Sequence, residues 1–186
     1  KSFILWHREN HMRILAEINR SPNVPHEGKF ACREAVRAII LNGERILLVH
    51  SHVNGDYKFP GGGIKHNECH GDALVREVAE ESGGRVVSTP EPFGKVLEYD
   101  YPIEKEFDSF CMTSYYYICE VNPELGPTCL DDYEADLGFH PIWVDINRAI
   151  ENNRELLKSG RRLERWVRRE TRVLEIIRDE LCHRTT

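Results

Sequence analysis

Glutamates at 77, 80 and 81 stand at i, i+3 and i+4, directly after an arginine at 76. On an α-helix, turning about 100° per residue, that spacing crowds the three carboxylates onto one side. Like charges at these offsets repel by roughly 0.2–0.5 kcal/mol per pair on an exposed helix. Glu80 and Glu81 also fall in the last turn before a Gly83-Gly84 stop, where the helix dipole is already negative. Stability alone would place Lys or Arg there. A divalent cation removes the conflict, and carboxylate oxygens are the hard ligands that Mg²⁺ or Mn²⁺ prefers. The run Phe59-Pro60-Gly61-Gly62-Gly63 precedes this helix, and glycine lets main chain come close to an ion or a phosphate.

The positions Gly62, Glu68, Arg76, Glu77, Val78, Glu80, Glu81 and Gly83 resemble the Nudix box. That box is written Gly-x5-Glu-x7-Arg-Glu-U-x-Glu-Glu-x-Gly-U, with U a bulky apolar residue. Gly84 stands where the last U is expected, a departure that touches packing at the helix exit and not the acids. Lys65 and Asn67 occupy positions where an acid and a glycine are common; asparagine tolerates the left-handed backbone a turn needs. The resemblance covers residues 62–84, with Phe59-Pro60-Gly61 as a matching lead-in.

The resemblance implies an α+β fold, a Nudix-type α/β/α sandwich with a mixed β-sheet. It implies a substrate in which a nucleoside diphosphate is linked to another group, hydrolysed by metal-activated water. Glu77, Glu80 and Glu81 would hold the metal, with a backbone carbonyl of Gly61 or Gly62 completing the shell. Gly62, Gly63 and Glu68 would shape the loop, with an outer metal shell as the other role for Glu68, and Arg76 would pair with a box glutamate or contact phosphate directly. The general base in such proteins is either a box glutamate or an acid on a later loop. Glu134, within Asp131-Asp132-Tyr133-Glu134-Ala135-Asp136, is the first choice among these acids, although in such a run any one acid is more readily solvent-facing than catalytic. Tyr99 lies at about the distance past the box where some dinucleoside-polyphosphate hydrolases carry a tyrosine, and Tyr57 could stack on a base. An edge-strand tyrosine is the better account of Tyr99, and for Tyr57 a half-buried strand aromatic reads at least as well. Binding of a nucleotide or nucleotide sugar without turnover is the rival function; eroded boxes mark it, and here every acid is present. Isoprenoid isomerisation would want a cysteine and a glutamate facing the metal, whereas Cys69 lies beside Glu68.

Periodicity predicts the elements that position these groups. Met12, Leu15 and Ile18 sit at helical spacing, which predicts a helix over 8–20 and a helical extension at 1–28 ahead of a single domain at 29–186. Residues 35–41 and 45–49 flank Asn42-Gly43 as a hairpin. A short strand at 57–59 leads to a helix over roughly 68–82, whose buried stripe is Leu74, Val75 and Val78, with Ala73 on the acidic side. Strands follow at 92–101, 111–121 and 139–144, and Asp145 caps a helix to about 158. A long helix at 161–182 carries Leu163, Trp166, Val167, Val173, Leu174, Ile177 and Leu181 on one face, closing the core or covering a homodimer interface.

The whole chain bounds the function. Its 186 residues suffice for one well-buried core. A net charge of −6 argues against a nucleic-acid coat and fits a small nucleotide-type diphosphate that brings its own metal. The basic run at 161–169 alternates with the core stripe and with Glu164 and Glu170, and is expected as a solvated helix face. Six cysteines form no C-x-x-C pair, so they predict buried free thiols in a reducing compartment and no zinc site. No apolar run reaches the ~18–20 residues of a membrane span, and Phe3-Ile4-Leu5-Trp6 is too short for a signal peptide. A cytoplasmic protein without nucleic-acid or membrane partners is the expectation.

Overall fold

Two four-stranded sheets and four helices carry residues 12–182, the part that the computed structural model describes. The first sheet holds β1 (Ile14–Asn19), β2 (Phe30–Ile39), β6 (Glu91–Asp100) and β7 (Ser109–Ile118) in the order β1-β6-β7-β2. It is mixed: β1 lies parallel to β6, β2 parallel to β7, and β6 antiparallel to β7. The second contains β3 (Leu41–Asn42), β4 (Arg45–Ser51), β5 (Tyr57–Lys58) and β8 (Phe139–Asp145), with β4 pairing antiparallel to the other three. Ile46 to Val49 of β4 are all fully buried, as expected of a strand covered on both faces.

The helices are α1 (His70–Ser82), α2 (Asp132–Asp136), α3 (Ile146–Lys158) and α4 (Trp166–Ile177), the last continued by a π turn at Arg178–Cys182. On one side of the sheets, Leu74 and Val78 of α1 pack with Val36, Ala38, Leu47 and Tyr115. On the other, Ile150 of α3 and Leu174 and Ile177 of α4 pack with Ile39, Leu48, Phe59 and Tyr116. The result is the expected α/β/α sandwich with a mixed sheet. Asp145 caps α3 as predicted, its carboxylate accepting the Arg148 N–H at 3.0 Å. Among the described residues no helix is long and apolar enough to cross a membrane.

Several expectations are corrected. The predicted N-terminal helix is strand β1 over 14–19; residues 8–11 of that prediction lie outside the described part. Its periodicity is overridden by the ladder to β6, which sends Met12 to the core beneath α1 and Leu15 and Ile18 to the opposite core. The predicted hairpin strand at 35–41 divides after Ile39, because β2 belongs to β7 while Leu41 and Asn42 pair with β4. Asn42 faces Arg45 in that pairing, so the two-residue turn is Gly43-Glu44. Helix α4 begins at Trp166, not at 161. Val75 is 46 % exposed, and Ala73 takes its place in the buried stripe. Of the five cysteines whose side chains are described, Cys119 is buried, while Cys32, Cys69 and Cys129 are exposed and Cys111 intermediate; all five are free thiols.

Candidate active site

The glycine loop is built as an extra strand along β2. Ala38 N–H donates to Pro60 O (2.8 Å), Val36 N–H to Gly62 O (3.0 Å), and Ile64 N–H to Glu34 O (3.1 Å). Gly61 has φ +145°, and a Cβ there would strike the β2 backbone, 2.9 Å from Arg37 Cα. At Gly62 a Cβ would overlap the Glu77 carboxylate, lying 2.6 Å from its Oε1. The loop and α1 therefore meet with no side chain between them. Helix α1 starts on Cys69, whose Sγ accepts the Asp72 N–H at 3.4 Å. It stops at Gly83 in the left-handed conformation (φ 65°), with the Gly83 N–H bonded to Ala79 O.

Arg76 organises the acids. Its Nε and Nη2 grip Glu68 at 2.7 and 2.8 Å, and its Nη1 donates to Glu77 Oε1 (2.5 Å) and Glu80 Oε2 (3.0 Å). Nη2 also reaches Gly63 O at 3.2 Å, tying the loop to the helix. Hydrogen bonding from Arg76, ahead of the Lys65 N–H, holds the Glu68 carboxyl at about 2. Burial pushes Glu77 above the usual carboxylate range, against the lowering influence of Arg76. Glu81, 1 % exposed, accepts the Gly61 N–H at 2.8 Å on Oε2 and the Lys58 ammonium on Oε1. Glu80 is the most open of the three, its side chain 38 % exposed.

A cleft of about 150 Å³ lies beside Glu81, bordered by Lys58, Gly61, Gly62, Glu134 and Arg37. Glu134 comes from α2, where it forms a capping box with Asp131. Burial, and then the Glu81 carboxylate, push the Glu134 carboxyl up to about 7, although the Asp131 N–H works the other way. Trp166 and Phe139 form the far wall, and Trp166 Nε1 donates to Asp56 Oδ2 at 2.7 Å.

The structure brings Glu68, Arg76, Glu77, Glu80, Glu81, Glu134 and the three loop glycines into one region. Tyr57 and Tyr99 are not brought there. Tyr57 is 7 % exposed in the core, its ring 4.7 Å from His50, and Tyr99 packs on His26 at 4.3 Å. Lys58, Arg37 and Arg169 border the cleft without having been expected. The available signal was Lys58 itself, a charged residue immediately ahead of Phe59-Pro60-Gly61.

The three carboxylates are hard-ligand chemistry, and Gly62, having no Cβ, makes room for the Glu77 carboxylate itself, whose Oε1 would lie 2.6 Å from a Cβ there. Among the described residues, no three His, Cys, Asp or Glu side chains converge as a metal cluster. Arg76 holds Glu77 and Glu80, and Lys58 holds Glu81. The carbonyls are engaged too: Gly61 O accepts from the Arg37 guanidinium and Gly62 O from Val36.

An RNA pyrophosphohydrolase from a Nitratiruptor species is 30 % identical over 101 residues, 50 % of this chain; the match spans 65 % of that relative's length. The crystal structure of a MutT NUDIX hydrolase from Burkholderia pseudomallei is similar at 20 % identity and TM-score 0.48, over 63 % of this chain and 85 % of that one. A NUDIX hydrolase from Nitrosomonas europaea is similar at 20 % identity and TM-score 0.48, over 71 % and 92 %. The NUDIX domain family model matches residues 32–167, which include the glycine loop, the acidic helix and the strands that frame them. The chain therefore belongs to the NUDIX domain family, within the Nudix superfamily that residues 62–84 resemble.

Proposed function

We propose that this chain hydrolyses a phosphoanhydride bond in a substrate linking a nucleoside diphosphate to another group, by attack of water. The observation that carries this reading is the placement of Glu81, buried and fixed on Gly61 N–H and Lys58, with Glu134 beside it in the same cleft. Glu77, Glu80 and Glu81 would hold Mg²⁺ or Mn²⁺. Such an ion supplies charge neutralisation at the diphosphate and lowers the pKa of a bound water. Arg76 keeps the Glu77 and Glu80 carboxylates together on one face. Arg37, whose buried Nε has no hydrogen-bond partner among the described residues, offers positive charge to phosphate oxygens beside Gly61 and Gly62. Glu134, whose carboxyl is raised to about 7, takes the proton from the attacking water on a carboxylate oxygen.

The candidate substrates include the 5′ end of RNA, given the name of the Nitratiruptor relative. Binding a nucleotide without turnover is the second reading, and Lys58 favours it, since its ammonium already neutralises Glu81. The test is a turnover panel with Mg²⁺ or Mn²⁺ over nucleoside triphosphates, ADP-ribose, dinucleoside polyphosphates, nucleotide sugars and 5′-triphosphorylated RNA. Metal-dependent cleavage of a panel member supports hydrolysis. Tight binding with no cleavage moves the function to nucleotide sensing.

A further inference from the structure

Arg169 in the cleft and Arg20 outside it share one buried carboxylate, Glu98, and on the Arg20 side lies a second cavity of about 390 Å³. Its walls combine two kinds of group. Phe30, Tyr101, Phe107 and Phe110 supply four rings, of which Tyr101 is 51 % exposed. Arg20, Arg33 and Arg165 supply charge. Cations already sit over two of these rings, Arg20 at 5.8 Å from the Phe110 centroid and Lys29 at 4.7 Å from that of Phe107.

The cavity does not end there. A neighbouring one of about 260 Å³ shares Arg20 and Arg165 and adds Arg161 and Arg168. Five arginines thus follow one groove, against Glu104 and Glu164 as the acids on its walls, in a chain whose net charge is −6. Arg20 and Arg165 are paired, with Glu98 and Asp100, whereas Arg33, Arg161 and Arg168 are exposed and form no ion pair among the described residues. The basic run at 161–169 is therefore not a uniform solvated face. Arg169 turns inward to Glu98 and Glu170, and Arg161, Arg165 and Arg168 line the groove.

We propose that this groove binds single-stranded RNA, taking the nucleotides that follow the anhydride held in the cleft. The proposal rests on the hydrolase reading for its direction, from cleft to groove. Aromatic faces with interleaved arginines are what a single strand requires: bases stack whatever their identity, and phosphates meet guanidinium groups. The two sites also lie along one strand. Strand β2 lines the groove with Phe30 to Arg33 and the cleft with Arg37, four residues or about 13 Å further on at ~3.3 Å per residue.

The experiment is fluorescence anisotropy with the full chain and a short, labelled single-stranded RNA carrying a 5′-monophosphate, over a series of salt concentrations. That probe has no anhydride, so binding is read whether or not the chain is a hydrolase. Expected is salt-sensitive binding that Arg33→Glu and Arg168→Glu each weaken, lowering the salt slope by about 0.7 for each phosphate no longer neutralised. Phe107→Ala should weaken binding about tenfold, the effect of one unstacked base, with the slope unchanged. Arg33 and Arg168 are exposed, so their variants should melt as wild type does, and a melting curve verifies it. No binding, equal affinity in all three variants, or a nucleoside monophosphate that competes as well as the RNA strand overturns the proposal. Failure of hydrolysis is seen separately, in the turnover panel.

Discussion

Glu170, in the middle of α4, accepts the backbone N–H of Phe59 at 3.1 Å and so holds the entry to the glycine loop from the opposite helical layer. Its other oxygen takes Arg169 Nη2 at 2.6 Å, and Arg169 in turn reaches Glu98 at 2.5 Å. Asn153 of α3 adds a second hold, donating to Tyr57 O and accepting from Tyr57 N–H, both at 2.9 Å. The C-terminal helices thus clamp β5 and fix where Lys58 and Gly61 stand.

Removing Glu170 should therefore unsettle the cleft as well as the core. Glu170→Ala leaves a buried guanidinium and a buried N–H short of partners, a loss of roughly 3–5 kcal/mol. Glu170→Gln keeps an acceptor for Phe59 and should lose less. Urea unfolding of the three proteins checks this, and equal stability would show that the clamp is not a working contact.

Gly62 and Gly63 are neighbours with opposite expected tolerance. A Cβ at 62 meets the Glu77 carboxylate, whereas at 63 it meets nothing within 4 Å. Gly62→Ala should lose about 1–3 kcal/mol through overpacking, and turnover should fall about a hundredfold as Glu77 is displaced. Gly63→Ala should stay near wild type in both. Similar behaviour of the two variants would contradict the contact between loop and helix.

The Arg76–Glu68 pair should appear in the acid limb of stability. Glu68 is held at about 2 in the folded chain against an ordinary 4.5. The folded value is the lower one, so the pair's contribution is fully present above about pH 4.5 and is lost as pH falls through about 2. The stability gap between wild type and Glu68→Gln should shrink over that interval in urea titrations at successive pH values. A gap that stays constant down to about pH 2 would contradict the pairing.

Local signals were legible in the sequence and long-range ones were not. The offsets of Glu77, Glu80 and Glu81, the Gly83 stop and the Asp145 cap each depend on a few neighbouring residues, and the structure places each on the helix the sequence predicts. Ile14 to Asn19 depend on a partner strand about eighty positions away, so the apolar spacing of Met12, Leu15 and Ile18 was free to imitate a helix. The same holds at residues 35–41, where β7 and β4 claim different parts of one apolar run. Lys58, Arg37 and Arg169 reach the cleft from three separate elements, and no spacing within the chain marks such a convergence.

The most direct test of the central claim is the rate of metal-dependent phosphoanhydride cleavage by Glu81→Gln beside wild type, on whichever substrate the panel identifies. The substitution keeps the size of the side chain and an oxygen for Gly61 N–H, but removes the charge that faces Lys58 and Glu134. Expected is a loss of at least about a thousandfold in kcat, with an unchanged circular dichroism spectrum. Wild-type turnover by Glu81→Gln would contradict the assignment of this cleft as the hydrolytic site.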